Sequence, residues 1–195
     1  MTELIYMNGF DITDCEATVV GVTEFEGKQV VLLNQTCFYA KGGGQDFDQG
    51  TISSDDGVFN VEAVFFIDGE VKHIGSFKQG SFKVGDSVHC RVDQDRRQLN
   101  TRLHSAGHVL DMAIRQLGWD WKPGKGAHYP HMSFVEYSGQ LDLDNKTTLI
   151  RNLQEKIDQL LQQGSTNSIQ FITPEEMAAL GAVVPENLPK EKPSR

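Results

Sequence analysis

Two histidines one turn apart on a predicted helix constrain this chain more than any other feature. Apolar residues recur between positions 99 and 117 at steps of three and four, the period of an amphipathic helix with one face in a core: Leu99, Leu103, Ala106, Leu110, Ile114 and Leu117. His104 and His108 lie outside this stripe and share one flank of the helix. Gly107, which weakens a helix interior, indicates the close approach of a neighbour or a ligand.

The spacing of the two histidines suits zinc. Neutral imidazoles at positions i and i+4 of one helix can bind the same metal ion. We therefore predict His104 and His108 as metal ligands, the alternative being two polar positions of an ordinary helix. A zincin-type peptidase is not indicated, because the pair lacks the glutamate of an HExxH motif.

The bulk properties favour a soluble cytoplasmic protein with one large or two small domains. The 195 residues contain no apolar run long enough to span a membrane and no secretion leader, so we expect no membrane partner. Cys15, Cys37 and Cys90 are odd in number and widely spaced, which argues against a disulfide framework.

The net charge of −9 argues against an extended nucleic-acid surface, since phosphate contacts need clustered cations. A local basic cluster surrounds the histidine helix and is either a solvated face or a short phosphate track: Arg91, Arg96, Arg97, Arg102, Lys122 and Lys125.

Residues 1–92 are predicted to form an all-β domain. Short β-branched runs separated by turn signals predict strands at 17–22, 29–33, 61–67, 70–74 and 87–92. The turns Asp68-Gly69 and Gly85-Asp86 join neighbouring strands. The short, even spacing of these strands is typical of a small barrel.

A glycine-rich segment interrupts this β region between residues 37 and 52. Gly42, Gly43 and Gly44 permit backbone conformations closed to other residues and the close approach of a ligand, while Gln45 supplies an amide and Asp48 a carboxylate. We predict a binding loop here, and the alternative is a mobile loop or a bulge. The segment has neither the GKS or GKT ending of a nucleotide-binding loop nor a GxGxxG motif.

Residues 93–185 are predicted to form an α+β domain. The histidine helix begins at the cap Asp93 and ends at Gly118. A loop at 119–130 that carries His128 and a strand at 131–137 are predicted to follow. A second helix is predicted from 144 or 145 to Gly164, with an apolar stripe of Leu149, Leu153, Ile157 and Leu160. A strand at 168–172 and a short helix that begins at a Thr173–Glu176 capping box and ends at Gly181 are predicted last. Residues 186–195 are expected to be a disordered tail or a truncation point.

Three motifs in order resemble the editing domain of alanyl-tRNA synthetase and the free-standing AlaX trans-editing proteins. The segment NQTCFYAKGGGQDFDQGTI is similar to the family's GGQ loop, RLHSAGHVLDMAI to its zinc helix, and KGAHYPHMSFVEYSG to the strand that follows. The likeness covers residues 17–189 and implies an α+β fold in which a small N-terminal barrel precedes the editing domain, with the HxxxH helix packed on an antiparallel sheet.

The resemblance implies a zinc-dependent hydrolase that cuts the ester of mischarged tRNA(Ala), chiefly Ser-tRNA(Ala). His104 and His108 correspond to the first two zinc ligands, and Gln45 to the glutamine beside the pocket. Thr36 lies near the position that helps to tell serine from alanine, so Gln45 and Thr36 are the implied catalytic pair. Gly42, Gly43, Gly44 and Asp48 are the implied substrate-binding residues.

The sequence departs from the family at the other two zinc ligands, which there belong to a later Cys-xxx-His motif that this chain does not contain. Three possibilities follow: a shortened chain, a catalytically inactive tRNA-binding relative with half a zinc site, or a shell completed in space by Cys37, Cys90, His128 or His131. A metal-dependent hydrolase of a small ester is a further alternative. A homodimer and an association with a synthetase both stay open. We expect the two imidazoles to face the triple-glycine loop across a common cavity.

Overall fold

The computed structural model describes residues 1–9, 11–140, 144–166 and 172–179. It confirms the predicted α+β class, in which an antiparallel barrel precedes the helices and a second sheet. The described strands are β1 Glu3–Leu4, β2 Asp14–Phe25, β3 Lys28–Leu33, β4 Gln35–Thr36, β5 Gly50–Ser54, β6 Gly57–Ile67, β7 Glu70–Gly80, β8 Ser87–Val92, β9 Lys122–Tyr129 and β10 Met132–Ser138. The described helices are α1 Gln94–Gln116, α2 Lys146–Gln163 and α3 Pro174–Ala179, with a 3-10 turn at Ile5–Met7.

Six strands close into the barrel in the order β2-β3-β7-β6-β5-β8, and β8 pairs with β2 to complete the ring. Every pair in this ring is antiparallel. Inward-pointing side chains of the strands form one buried apolar core, to which Phe38 from the segment after β4 also belongs. The core includes Val19, Val31, Leu33, Ile52, Phe59, Val61 and Val64. A parallel pair of two-residue strands, β1 and β4, lies beside the barrel.

The second half of the described chain consists of α1, the β9–β10 hairpin, α2 and α3. Asp93 caps α1 as predicted, because its side chain accepts a hydrogen bond from the Arg96 backbone N–H at 3.0 Å. The capping box at α3 is also confirmed: the Glu176 N–H donates to Thr173 Oγ1 at 3.2 Å, and the Thr173 N–H donates to Glu176 Oε2 at 2.7 Å. No described helix is both long enough and apolar enough to cross a lipid bilayer.

The predicted loop at 119–130 is wrong, because most of it is strand β9. Pro123, Gly124 and Gly126 are poor strand formers, but pairing with β10 supplies the backbone partners that hold this segment extended. Strand β5 was not predicted, since it begins within the glycine-rich segment. Three predictions lie wholly or largely outside the described residues: the strand at 168–172, the end of the short helix at Gly181, and the tail at 186–195.

The predicted apolar stripe of α1 is only partly buried, with Leu103, Leu110 and Leu117 half-buried. Leu99 is 47% exposed and Ala106 is exposed, while Ile114 alone of the six predicted positions is buried. The residues of α1 that are buried are instead Arg97, Asn100, Gly107, Ala113 and Ile114. Helix α1 docks on the loop before β5 through charged and polar hydrogen bonds.

Two consecutive arginines make that docking contact. The Arg97 guanidinium binds both oxygens of Asp48, with Nε at 3.1 Å from Oδ1 and at 2.9 Å from Oδ2, and its Nη2 donates to the Cys37 carbonyl at 2.7 Å. Arg96 Nη2 donates to Asp46 Oδ2 at 2.7 Å, and Arg96 Nε donates to the Phe47 carbonyl at 3.0 Å. These two arginines are therefore neither a solvated face nor a phosphate track; they attach α1 to the segment that follows the glycines.

We expect the substitution Asp48→Asn to lower the free energy of unfolding by about 3–5 kcal/mol, because Arg97 keeps its charge and is left buried without a counterion. Urea unfolding followed by circular dichroism measures the loss.

The matched control is Glu62→Gln, which neutralises a carboxylate in the exposed pair with Lys28 and should cost less than about 1 kcal/mol. Equal losses in the two variants would contradict the anchoring role of the buried pair.

Candidate functional site

The triple-glycine segment forms a tight turn whose geometry requires glycine. The Gly42 N–H donates to the Gln45 carbonyl at 3.2 Å, and the Gln45 N–H donates back to the Gly42 carbonyl at 3.0 Å. Gly43 and Gly44 have positive φ values of 56° and 77°, which residues with a side chain rarely adopt. The turn thus presents Gln45 at a fixed position.

This turn packs directly against β9. The His128 N–H donates to the Gly44 carbonyl at 2.8 Å, and Gln45 forms a parallel bridge with His128. A Cβ atom added to Gly44 would lie 2.9 Å from the Gly126 carbonyl oxygen, a distance that real Cβ atoms do not show. Gly44 therefore permits the barrel and the hairpin to meet backbone to backbone.

Gln45 contacts the first histidine of the helix. Its side-chain Oε1 lies 2.9 Å from His104 Nδ1. An amide oxygen only accepts hydrogen bonds, so Nδ1 carries the proton and Nε2 carries the lone pair of the neutral ring. A hydrogen bond of this kind fixes the tautomer and the ring orientation of a metal-binding histidine.

Three imidazoles stack beside this contact, with His104 in the middle. The ring centroid of His104 lies 5.0 Å from that of His108 and 4.9 Å from that of His128, with interplanar angles of 25° and 11°. Gly107 makes the arrangement possible, because a Cβ atom there would lie 2.3 Å from His128 Cε1. The close neighbour predicted for Gly107 is thus the His128 ring.

The outer two imidazoles lie in different surroundings. The His108 side chain is 70% exposed, and its Nδ1 is 3.9 Å from Asp111 Oδ2. His128 is buried, and this burial lowers its pKa below the ordinary value, with the nearby His108 acting in the same direction. Asp111 also accepts a short hydrogen bond from the Tyr137 hydroxyl, and burial raises the pKa of that hydroxyl above its usual range.

Thr36, at the end of β4, has a buried side chain that contacts β7. The residue is 0% exposed; its hydroxyl oxygen accepts from the Phe38 N–H at 3.0 Å and lies 2.8 Å from His73 Nε2. His73 Nδ1 faces the Val31 carbonyl at 2.9 Å, so Nε2 accepts the threonine proton. Burial lowers the pKa of His73 to about 4, which keeps the ring neutral. Thr36 supports the entry to the glycine turn rather than facing solvent.

Asp48, predicted to bind substrate, is likewise 0% exposed and lies in the ion pair with Arg97. Burial raises the pKa of its carboxyl above the ordinary value, and the Arg97 guanidinium opposes that shift. The structure thus brings Gln45 and the glycines to the histidines, whereas Thr36 and Asp48 contact the barrel interior and α1.

The donor set at the histidines fits half of a zinc site. Two neutral imidazole ligands from one helix, one of them oriented by an amide, are suitable zinc donors. Within residues 1–9, 11–140, 144–166 and 172–179, no group of three or more histidine, cysteine or acidic side chains is arranged to hold a metal ion. Cys37 and Cys90 are in the barrel core, so they do not complete the shell, and His131 is exposed and stacks on Tyr129.

Arg97 and Asp111 contribute to the site although the sequence did not single them out for it. The signal for Arg97 was its position seven residues before His104, since seven residues are two helical turns and place both on one face. The signal for Asp111 was its position three residues after His108. A separate cleft of about 330 Å³, lined by Trp119, Asp120, Trp121, Gln140 and Leu149, lies beyond the other end of α1.

Comparison with known protein families indicates the class of protein to which this chain is similar. A family model described as tRNA synthetases class II (A) matches residues 8–96, which include the barrel, the glycine turn and the start of α1. The curated relatives narrow this class. The chain is 42% identical over 123 residues to the alanine–tRNA ligase of Methanothrix thermoacetophila, an alignment that covers 62% of this chain. It is 33% identical over 152 residues to that of Pseudothermotoga lettingae and 32% identical over 187 residues to that of Thermobifida fusca, which cover 76% and 90% of this chain.

The chain is therefore related to the alanine–tRNA ligases. It spans only 13%, 18% and 21% of the lengths of these three relatives.

We expect Gly107→Ala to destabilise the protein by about 1–3 kcal/mol, although alanine is the better helix former by about 1 kcal/mol. The added methyl group displaces the buried His128 ring and separates it from His104. Urea unfolding measures the loss, and the imidazole proton resonances report the displacement.

Ser105→Ala, at an exposed position of the same helix turn, is the control and should leave both measurements nearly unchanged. An unchanged His128 resonance in Gly107→Ala would contradict the close packing.

Proposed function

We propose that the chain is an editing domain that hydrolyses the ester bond of mischarged tRNA(Ala), chiefly Ser-tRNA(Ala), in the cytoplasm. The observation that carries this proposal is the contact between Gln45 of the glycine turn and His104 of the helix. Two segments 59 residues apart, each similar to an editing motif, meet through a hydrogen bond that orients a metal-binding type of imidazole. The relation to alanine–tRNA ligases supports the choice of tRNA(Ala) as substrate.

In this proposal His104 and His108 hold a zinc ion, together with ligands that the described residues do not supply. When bound, zinc supplies polarisation of the ester carbonyl or a bound water of lowered pKa. Gln45 orients His104 and positions the substrate; its amide does not accept a proton at neutral pH, so it is not a general base. The glycine turn lets the aminoacyl end approach the backbone closely.

Discrimination between serine and alanine requires a polar partner for the serine hydroxyl, because an unpaired buried polar group costs about 1–3 kcal/mol. Gln45 is the candidate partner that lies beside the histidines. In this proposal Thr36 does not bind the serine hydroxyl directly, because its own hydroxyl is already hydrogen-bonded to His73 and to the Phe38 N–H.

A second candidate is a tRNA-binding module without catalysis. The described residues favour it in one respect, since they provide two histidines but no third ligand arranged for a metal. A hydrolase of a small ester is the third candidate, and it differs from both because it has no need of tRNA.

The first prediction concerns hydrolysis. We expect the zinc-supplemented protein to release serine from Ser-tRNA(Ala), and His104→Ala to abolish this release because it removes both a metal ligand and the partner of Gln45. Release of labelled serine from charged tRNA(Ala) is the measurement, with His131→Ala, an exposed histidine outside the stack, as the control that keeps activity.

Tight tRNA(Ala) binding with zinc present but no release of serine would overturn the proposal in favour of the binding module. Competition by a tRNA(Ala) acceptor-stem duplex separates the remaining alternatives, because only a hydrolase of small esters would be unaffected by it.

The second prediction concerns zinc affinity. We expect Gln45→Ala to weaken zinc binding by about 10–100-fold, because the amide no longer fixes the His104 tautomer. Competition with a chromophoric chelator measures the affinity.

The control is Gln98→Ala, which changes an exposed glutamine of α1, the helix that also carries His104. It should leave the zinc affinity unchanged. Identical zinc affinities in Gln45→Ala and the unaltered protein would contradict the proposal that Gln45 orients His104 for zinc binding.

A further inference from the structure

The three cysteines of the chain, 75 residues apart at the extremes, converge at one place in the barrel. Cys15 in β2 and Cys90 in β8 are directly opposite each other in the antiparallel ladder that closes the ring. The Cys37 thiol donates a long hydrogen bond, 3.9 Å, to the Cys90 carbonyl. All three are free thiols.

From this convergence we propose that Cys15 and Cys90 are an oxidation site, at which a hydroperoxide converts the two thiols to a disulfide that staples the barrel closed. This proposal does not depend on the deacylase activity, since the cysteines contact neither Gln45 nor the histidines in the contacts described above.

The register of the two strands suits such a bond. The Val92 N–H donates to the Thr13 carbonyl and the Val19 N–H donates to the Asp86 carbonyl, so Cys15 and Cys90, two positions along from Thr13 and Val92, form a hydrogen-bonded pair. Such pairs have Cα atoms about 5.5 Å apart. Disulfides span Cα separations of about 4.4–6.8 Å, a range that includes the typical separation of such a pair.

The three thiols differ in a way that assigns their roles. Cys37 and Cys90 are 0% exposed, whereas Cys15 is partly exposed. The neighbouring Cys37 and Cys90 lower the pKa of the Cys15 thiol, whereas Cys15 and burial raise the pKa of the two inner thiols. Cys15 is thus the accessible nucleophile, and Cys90 is the resolving thiol.

The chemistry balances with hydrogen peroxide as the oxidant. The Cys15 thiolate attacks one peroxide oxygen, an S–O bond forms, the O–O bond breaks, and the departing hydroxide takes up the Cys15 proton as water. The Cys90 sulfur then attacks the Cys15 sulfur, the S–S bond forms, the S–O bond breaks, and hydroxide leaves with the Cys90 proton as a second water. Two thiols lose two electrons and two protons, and one peroxide becomes two waters.

The test uses the folded, fully reduced protein treated with hydrogen peroxide and quenched with catalase. We expect the intact mass to fall by about 2 Da, and peptide mapping without reductant to yield a peptide pair joined at Cys15 and Cys90. The unfolding temperature should rise by roughly 5–15 °C, because the bond closes a long loop of the unfolded chain, and dithiothreitol should reverse the rise.

Two variants separate the roles of the remaining thiols. Cys37→Ala should still form the Cys15–Cys90 bond, whereas Cys90→Ala should leave Cys15 as a sulfenic acid that dimedone traps. Because the mass measurement on the unaltered protein needs neither variant, a variant that fails to fold does not remove the test. A Cys15 that stays reduced, or a bond that joins Cys15 to Cys37 instead, would overturn the proposal.

Discussion

The buried ion pair between Asp48 and Arg97 is the contact on which the arrangement of the site depends. Asp48 lies three residues after Gln45, and Arg97 lies two helical turns before His104. The pair therefore joins the two segments that carry the candidate site. A second ion pair, between Arg96 and Asp46, repeats the attachment one residue earlier on α1 and two residues earlier in the loop. Besides this attachment, the start of α1 is held by Gln94 Nε2, which donates to Thr13 Oγ1 at 3.1 Å, and the middle of α1 by the contact of His104 with the glycine turn.

A polar attachment of this kind explains why the site lies between two structural units. An apolar helix face can slide against a core with little loss, because hydrophobic contact is not directional. A bidentate contact between a guanidinium and a carboxylate sets both distance and angle. The Gln45–His104 hydrogen bond requires such precision, since it fails if its two partners separate by a further ångström or so.

The sequence predicted the barrel well because its signals are local. Turns such as Asp68-Gly69 and alternating β-branched residues mark most of the strands. The pairs that close the ring, β3 with β7, β5 with β8 and β2 with β8, join strands that are distant in the sequence. The burial of α1 was predicted only in part, because periodicity counts apolar residues, whereas Asp48, the partner of the buried Arg97, is 49 positions away. Strand β9 was missed because its glycines and proline are stabilised by β10 and by the Gly44 carbonyl, which no local pattern reveals.

The interval between Arg97 and His104 has a consequence for how such a chain can vary. Seven residues complete two helical turns to within about 20°, so the side chains of Arg97 and His104 lie on the same face of α1. Inserting or deleting one residue in this interval would rotate the histidines by about 100° away from Gln45 while leaving the anchor in place. The barrel hairpins can change length at their tips, but the number of residues in this interval is as much a part of the site as the histidines themselves.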